Sequence, residues 1–366
     1  MADRLGQAVQ LAGNVVRVGW YTGVNWFAGR EGARRDRPAP PRFKPTRPSP
    51  SRNELMQDLR ELMRRDAELV RDGLAAADGG EPAGGLADHL SRLGAMLRDV
   101  PDAAERRETR NATTVTSLPE AADVPDYFRQ DFHFQKGGYL AADSARLYDV
   151  QVETLFYGSA SAMRRAALRP IGEFLAGRDQ RKVHLLDVAC GTGRLLREIR
   201  LVYPALNLTG LDLSPAYLDE AARHLGKLRP AHMLAANAEA MPLADASQDI
   251  VTSVFLFHEL PPEVRRTVAA EMARVLKPGG LLVFIDSLQF GDRPARSLPA
   301  PLPRAVFPAL RDRRSRRRVR RGGTDSRGHV HGVSVQDHGS AKVLIGQRWI
   351  LLRRSTEIRA LTEAPP

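Results

Sequence analysis

The sequence predicts an α/β chain: a doubly wound, mostly parallel sheet with an antiparallel edge strand, preceded by a helical N-terminal region. Three observations lead there. Residues 185–194 read Leu-Leu-Asp-Val-Ala-Cys-Gly-Thr-Gly-Arg: an apolar run with an acid, then a loop of small residues. A helical pattern, Leu195 to Ile199, follows at once. A second apolar run, Leu206 to Leu211, also ends in an acid, Asp212. Two more strand-like runs, Asp249 to Val254 and Leu281 to Ile285, come later. Strands that alternate with helical patterns indicate βαβ units and a parallel sheet.

In chain order, residues 1–30 are expected to form an amphipathic helix. Leu5, Val9, Ala12, Val16, Trp20, Val24 and Phe27 recur at three-and-four spacing, despite Gly13, Gly19 and Gly23. Trp20, Tyr21 and Trp26 suit a lipid–water boundary, so peripheral membrane contact through residues 5–28 is one expectation. Packing of that stripe on the protein itself is the other. Residues 31–52, rich in Arg and Pro, read as an extended linker. Residues 53–123 read as a helical accessory region. Asn53 caps one helix, with Leu55, Leu59, Leu62 and Leu69 on one face. Gly79 to Gly85 break it, and Leu86 to Arg98 form a second. Residues 124–180 are expected to form a helical lid or substrate segment. Its aromatic side chains include Tyr127, Phe128, Phe132, Tyr139, Tyr148 and Tyr157, and Gln135 to Tyr139 read as a flexible turn. Tyr139, Tyr148 and Tyr157 are the substrate or lid candidates; packing of the aromatics on the sheet is the competing reading.

The strand–loop–helix at 185–199 is chemically the most telling part. Glycines let a ligand approach bare backbone, and the helix start aims N–H groups at it. An acid at the end of the second strand can accept hydrogen bonds from ribose hydroxyls. Together these point to a nucleoside-containing cofactor. The dinucleotide fingerprint needs a third small residue where this chain has Leu196. That departure disfavours an NAD(P)-dependent reductase, as does the lack of a Tyr-x-x-x-Lys pair after the fourth strand.

The loop resembles the first motif of class I S-adenosylmethionine (SAM) methyltransferases, an acid followed by x-G-x-G-x-G, with Ala189 at the first glycine position. Three more stretches match in order. They are Asn237-Ala238-Glu239 with Met241-Pro242-Leu243, the strand Asp249 to Val254, and Arg274-Val275-Leu276-Lys277-Pro278-Gly279-Gly280 leading into Leu281 to Ile285. Residues 124–292 are similar to the small-molecule branch that includes ubiquinone and menaquinone biosynthesis enzymes. The resemblance implies a Rossmann-like methyltransferase sheet over 181–292 and SAM as cofactor. It implies that Asp187, Ala189, Cys190, Gly191 and Gly193 position SAM and that Asp212 holds the ribose. Asn237, Ala238 and Glu239 would lie by the adenine, with Leu213 and Phe255 candidates for the same site. It also implies a segment before the first strand that covers the cofactor, and a small, quinol-like methyl acceptor.

The fourth strand leads into Phe255-Leu256-Phe257-His258-Glu259-Leu260-Pro261-Pro262. Ligand crevices of open α/β sheets lie beyond the carboxyl ends of strands, so His258 and Glu259 are the catalytic candidates. His258 could take a proton from an acceptor hydroxyl, or merely shape the pocket. Pro261-Pro262 comes too late, and lacks the amide and aromatic, for the strand-end motif of base-methylating enzymes. Pro262 reads instead as a helix start.

Composition narrows the classes further. The chain has 366 residues, 43% of them apolar, enough for a sizeable core. Its net charge is +12, but residues 311–321 hold eight arginines against one aspartate. Basicity is thus local and argues against a nucleic-acid enzyme. The single cysteine, Cys190, excludes an intramolecular disulfide and a cysteine metal cluster, and fits a cytoplasmic protein. No metal site is expected. No run of 18 uncharged apolar residues exists, so no spanning helix is predicted. Residues 293–328 lack an apolar stripe and read as an atypical basic loop, a frame-altered segment or, less favourably, an RNA-binding arm. His329 to Gln336 and Lys342 to Trp349, within 329–366, are candidate terminal strands. The reading that unites these features is a SAM-dependent enzyme that methylates oxygen or carbon of a small lipophilic aromatic. A non-catalytic SAM-binding regulator at a membrane surface is the alternative.

Overall fold

The computed structural model describes residues 3–33, 52–77, 84–109, 112–287 and 347–352. Strands β1 (His184–Val188), β2 (Asn207–Asp212), β3 (His232–Ala235), β4 (Gln248–Val254), β5 (Leu276–Ser287) and β6 (Gln347–Leu352) form one sheet in the order β3-β2-β1-β4-β5-β6. The first five are parallel and β6 runs antiparallel to β5 at the edge. The edge strand overlaps the second expected C-terminal strand. The first, with the basic run 293–328 and the 34–51 part of the linker, lies outside the described residues.

Strand β1 shows why the sheet is covered on both faces. Leu185 and Leu186 are both fully buried but belong to different cores, as alternation along a strand requires. On one face Leu185 packs with Leu168 and Ile171 of α6 (Leu168–Leu175) and Leu196 and Ile199 of α7 (Arg194–Val202). On the other, Leu186, Val188 and Val251 pack with Val268 and Met272 of α9 (Pro262–Val275). The helix α8 (Pro215–Leu225) joins the first face through Leu218. Pro262 stands in the first turn of α9, with Glu263 beside it, as a helix start favours. Strand β5 begins directly after α9, so Pro278-Gly279-Gly280 lies inside the strand rather than before it. Ladder pairing with β4 shifts there, and Gly279 has φ +75°, which marks a bulge.

The third-glycine departure at Leu196 is compensated on β2. A Cβ on Gly210 would lie 2.7 Å from Leu196 Cδ1 and 2.9 Å from Cys190 Sγ. The close helix–strand approach is retained, with the glycine on the strand instead of the helix.

Ahead of the sheet stand α1 (Arg4–Ala33), α2 (Arg52–Arg71), α3 (Gly85–Thr109), α4 (Ala142–Leu155) and the short α5 (Ala160–Arg165). Helix α3 extends past the expected end, through Pro101. Short turns over Thr114–Ser117, Pro119–Asp123, Asp126–Phe128 and Phe132–Phe134 carry the aromatic segment.

On helix α1 most of the stripe faces outward, against the reading that it packs on the protein itself. Of the seven stripe residues only Val24 is buried, and Leu5 and Val16 are more than two-thirds exposed. The inward face is polar at Gln10 and Asn14 and apolar only at Tyr21 and Val24, further along the helix. Gln10 Nε2 and Asn14 Nδ2 donate to Asp66 Oδ2 on α2, at 3.0 and 2.7 Å. Arg165 of α5 donates to the same carboxylate through Nε (2.8 Å) and a second nitrogen. Asp66 is fully buried, so these four contacts replace its water shell. A specific buried acid outcompetes the apolar stripe for the inward position. Among the described residues, no helix is long and apolar enough to cross a membrane.

Candidate active site

The strand order reverses between β1 and β4, and a cleft opens beyond the carboxyl ends of the strands there. It holds about 810 Å3 including its open mouth. Its floor is Ala189, Gly191, Leu211, Asp212 and Leu213, with Ala236, Asn237 and Ala238 to one side. Val254 to Leu256, Glu259 and Leu260 form the other end. Tyr127, Phe128, Phe132, Tyr139, Tyr148 and Tyr217 form the roof.

The loop after β1 turns through left-handed backbone at Ala189 (φ +56°), Gly191 (+55°) and Gly193 (+68°). The two glycines serve different ends. A Cβ on Gly191 would meet nothing within 4 Å, and this residue faces the cleft. A Cβ on Gly193 would lie 2.7 Å from Ala221 Cβ, so this glycine lets α7 and α8 approach. Cys190 faces the core, and burial pushes its thiol well above the usual range. Thr192 clamps the loop from both sides: its hydroxyl donates to Asp149 Oδ1 at 2.9 Å, and its carbonyl lies 2.7 Å from His224 Nδ1.

Asp187 and Asp212 both lie beside this loop but occupy different places. Asp212 lines the cleft and is anchored by backbone amides of Gly191 and Ser214, each at 2.9 Å. Burial raises its pKa, and those amides oppose the rise. Asp187 lies beneath the loop, 2% exposed, and accepts from Thr252 Oγ1 at 2.6 Å. Burial pushes its carboxyl up to about 7. Asn237 accepts from the Glu239 amide (2.9 Å) and donates to Glu239 Oε1 (3.2 Å), closing a tight turn. Glu239 does not line the cleft; it holds the roof by accepting from Tyr127 Oη at 2.8 Å.

The roof is a ring cluster. Phe132 and Tyr139 stack with centroids 4.6 Å apart, and Tyr139 meets Tyr148 and Tyr217 edge-on. Tyr157 is not part of it: half exposed, it lies away from the cleft. Phe255, at left-handed φ +64°, is held against Phe156 and beneath the Arg164 guanidinium.

At the β4 end, Glu259 faces the cleft and His258 stands behind it. Asp286 Oδ1 lies 2.8 Å from His258 Nδ1, and its other oxygen accepts from the Phe257 amide. Glu259 Oε1 lies 3.3 Å from His258 Nε2 and 2.8 Å from Nε2 of His133, and accepts from Tyr139 Oη at 3.3 Å. Burial alone would strip the proton from His258, but Asp286 and Glu259 outweigh it and push its pKa up to about 10. Burial would raise Glu259, yet His133 and His258 hold it far below the usual carboxylate range. His258 is thus already protonated at neutral pH and flanked by carboxylates, a poor arrangement for a free base. Sequence reasoning missed His133, Asp286 and Tyr217, which meet the rest only through the fold.

Residues 185–280 match the family described as a methyltransferase domain. These residues are a class I methyltransferase domain. Its cofactor is S-adenosylmethionine. Several curated relatives of the methyltransferase domain carry different names. An O-methyltransferase from Penicillium expansum is 35% identical over 32% of this chain and 41% of its own length. A malonyl-[acyl-carrier protein] O-methyltransferase from Hahella chejuensis is 36% identical, over 27% of this chain and 34% of that one. A ubiquinone/menaquinone biosynthesis C-methyltransferase from Syntrophotalea carbinolica is 35% identical, over 39% and 57%. The chain thus spans between about a third and three-fifths of the curated relatives it matches. These relatives are named for methylation of oxygen and of carbon.

Proposed function

We propose that this protein transfers the methyl group of SAM to an oxygen or carbon of a small, lipophilic aromatic acceptor of the quinol type. The observation that carries the reading is one continuous cleft. It runs from the Asp212 carboxylate at the end of β2, past bare backbone at Gly191, to Glu259 beyond β4, under an aromatic roof. The relatives named for quinone biosynthesis and for O-methylation support both acceptor atoms.

The cleft residues fit the cofactor. Asp212 is fixed by two amides with its lone pairs toward the cleft, suited to ribose hydroxyls. Gly191 leaves the space beside its Cα open for the methionine part. Because Asn237 is committed to its own turn, the adenine edge falls to its backbone and to Ala238. Ala189, Leu213 and Phe255 wall the same space. Asp187 and Gly193 support the loop from below, and Cys190 packs it on the core. When bound, SAM supplies an activated methyl on a sulfonium that leaves as a neutral thioether. The chain's part is positioning: Tyr139, Tyr148 and Phe132 flank a flat acceptor, and Glu259 orients its hydroxyl or ring. In-line alignment of this kind can supply most of a rate enhancement.

The segments divide accordingly: 124–180 as the cover, 181–292 as the core, and 53–123 as the support beneath the cover. Incubation of the protein with methyl-labelled SAM and a lipid extract tests the function. Label in an organic-soluble product is expected; SAM binding without any label transfer would favour a non-catalytic role.

The outer face of α1 supports a second element of the reading, peripheral contact with a lipid surface. Leu5, Val9, Val16, Trp20, Trp26 and Phe27 are exposed together, while hydrogen bonds to Asp66 pin the opposite face. Arg4 and Arg30 bracket the stripe, Arg30 lying over the Trp26 ring. Co-sedimentation with anionic vesicles is expected for the full chain and not for a W20E/W26E variant. Equal behaviour of the two would remove this element and leave the enzymatic reading intact.

A further inference from the structure

We propose that His133, His258 and Glu259 form a site for one divalent first-row transition-metal ion at the acceptor end of the cleft. One ligand atom from each residue converges, all three within 4.8 Å of one another. Two of the separations are 2.8 and 3.3 Å. Ligands held about 2.1 Å from one ion sit roughly 3–3.5 Å apart at tetrahedral angles. The two separations from Glu259 are close to that spacing.

The surroundings are arranged in the same sense. Asp286 Oδ1 pairs with Nδ1 of His258, which directs Nε2 toward Glu259. Carboxylates commonly hold metal-ligating histidines in this way. His133 sits in left-handed backbone, φ +56°, followed by Phe134 at +60°. Such conformations cost about 1–3 kcal/mol and persist where surrounding contacts impose them. Here the turn is tied down by Asp131, whose carboxylate accepts from the Thr114 and Val115 amides at 2.8 and 2.9 Å. The strained residue is the one whose ring reaches Glu259.

Charge agrees. Two largely buried carboxylates, Glu259 and Asp286, face two imidazoles, and a divalent ion with both rings neutral balances them. The donor set is two nitrogens and one carboxylate oxygen, which suits Zn2+, Fe2+, Co2+ or Mn2+ better than Mg2+ or Ca2+. Three protein ligands leave a position open, and Glu259 borders the cleft on that side. An acceptor oxygen bound there would be polarised and oriented toward the methyl group. That role rests on the methyltransferase reading; binding of the ion does not. From the sequence no metal site is expected, because His133 lies 125 positions before His258 and no ligand-spacing motif joins them.

Titration of tag-free, chelator-stripped full-length protein with Co2+, followed by visible absorption, tests the site. One equivalent per chain is expected to give d–d bands that Zn2+ abolishes. H133Q and D286N are expected to weaken Co2+ binding at least tenfold. SAM affinity of H133Q, measured by calorimetry, should stay within twofold, which reports an intact fold. Wild-type protein that binds SAM but shows no saturable Co2+ or Zn2+ binding overturns the proposal. Co2+ binding undiminished in H133Q with H258Q also overturns it. Stoichiometric Co2+ binding that depends on these residues, without SAM binding, would uphold the ion site and count against the methyltransferase reading.

Discussion

At the scale of single residues, Asp187 and Asp212 divide a task that the sequence presents as shared. Both end or nearly end a strand, and both lie beside the glycine loop. Asp212 reaches the cleft with its charge supported by amides, whereas Asp187 is sealed under the loop with one hydroxyl as partner. Burial raises the Asp187 pKa from 3.8 to about 7. A raised folded-state pKa means that this group's contribution to stability is fully present below pH 3.8 and is lost as pH rises through about 7. An Asp187→Asn variant should therefore melt near wild type at pH 4 and above it at pH 8, by up to about 4 kcal/mol. Thermal melts across that range, without SAM, check this. Equal differences at both pH values would contradict the buried-acid account.

At the scale of elements, the roof is coupled to the β3 end of the cleft through one hydrogen bond, Tyr127 to Glu239. A Tyr127→Phe variant leaves the Glu239 carboxylate without that donor and keeps the ring. The expected loss is about 1 kcal/mol of SAM affinity, roughly fivefold, read by calorimetry. The elements that were legible in the sequence are those set by neighbours in the chain. The loop 189–193, the acid at 212 and the helix start at Pro262 follow from local rules about glycine, strand ends and proline. Two things were not legible, for a common reason. The inward face of α1 is chosen by Asp66, more than 50 residues away, and an apolar stripe does not say which face finds a partner. The His133–Glu259–His258–Asp286 cluster joins the aromatic segment to the ends of β4 and β5, a juxtaposition that exists only once the sheet is closed.

At the scale of the whole molecule, the N-terminal helices are built into the site's foundation. Asp66 ties α1, α2 and α5 together, and Asp149 on α4 holds the glycine loop through Thr192. Removal of the Asp66 carboxylate leaves Arg165, 3% exposed, as a buried charge stripped of that partner. An Asp66→Ala variant should lose about 3–5 kcal/mol of stability in urea denaturation. A loss below 1 kcal/mol would mean that α1 is only loosely applied. The same organisation explains how a helix with an apolar outer face is held in one orientation, and why vesicle binding would not require it to leave the protein.

On the proposed function, the cleft at the ends of β1, β2 and β4 is a SAM site with Asp212 as its ribose anchor. Isothermal titration of the full-length chain with SAM tests it most directly. One site of micromolar affinity, about −8 kcal/mol, is expected, with at least a tenfold loss in Asp212→Ala. A folded protein that gives no heat with SAM, or that binds NADH more tightly, would contradict it.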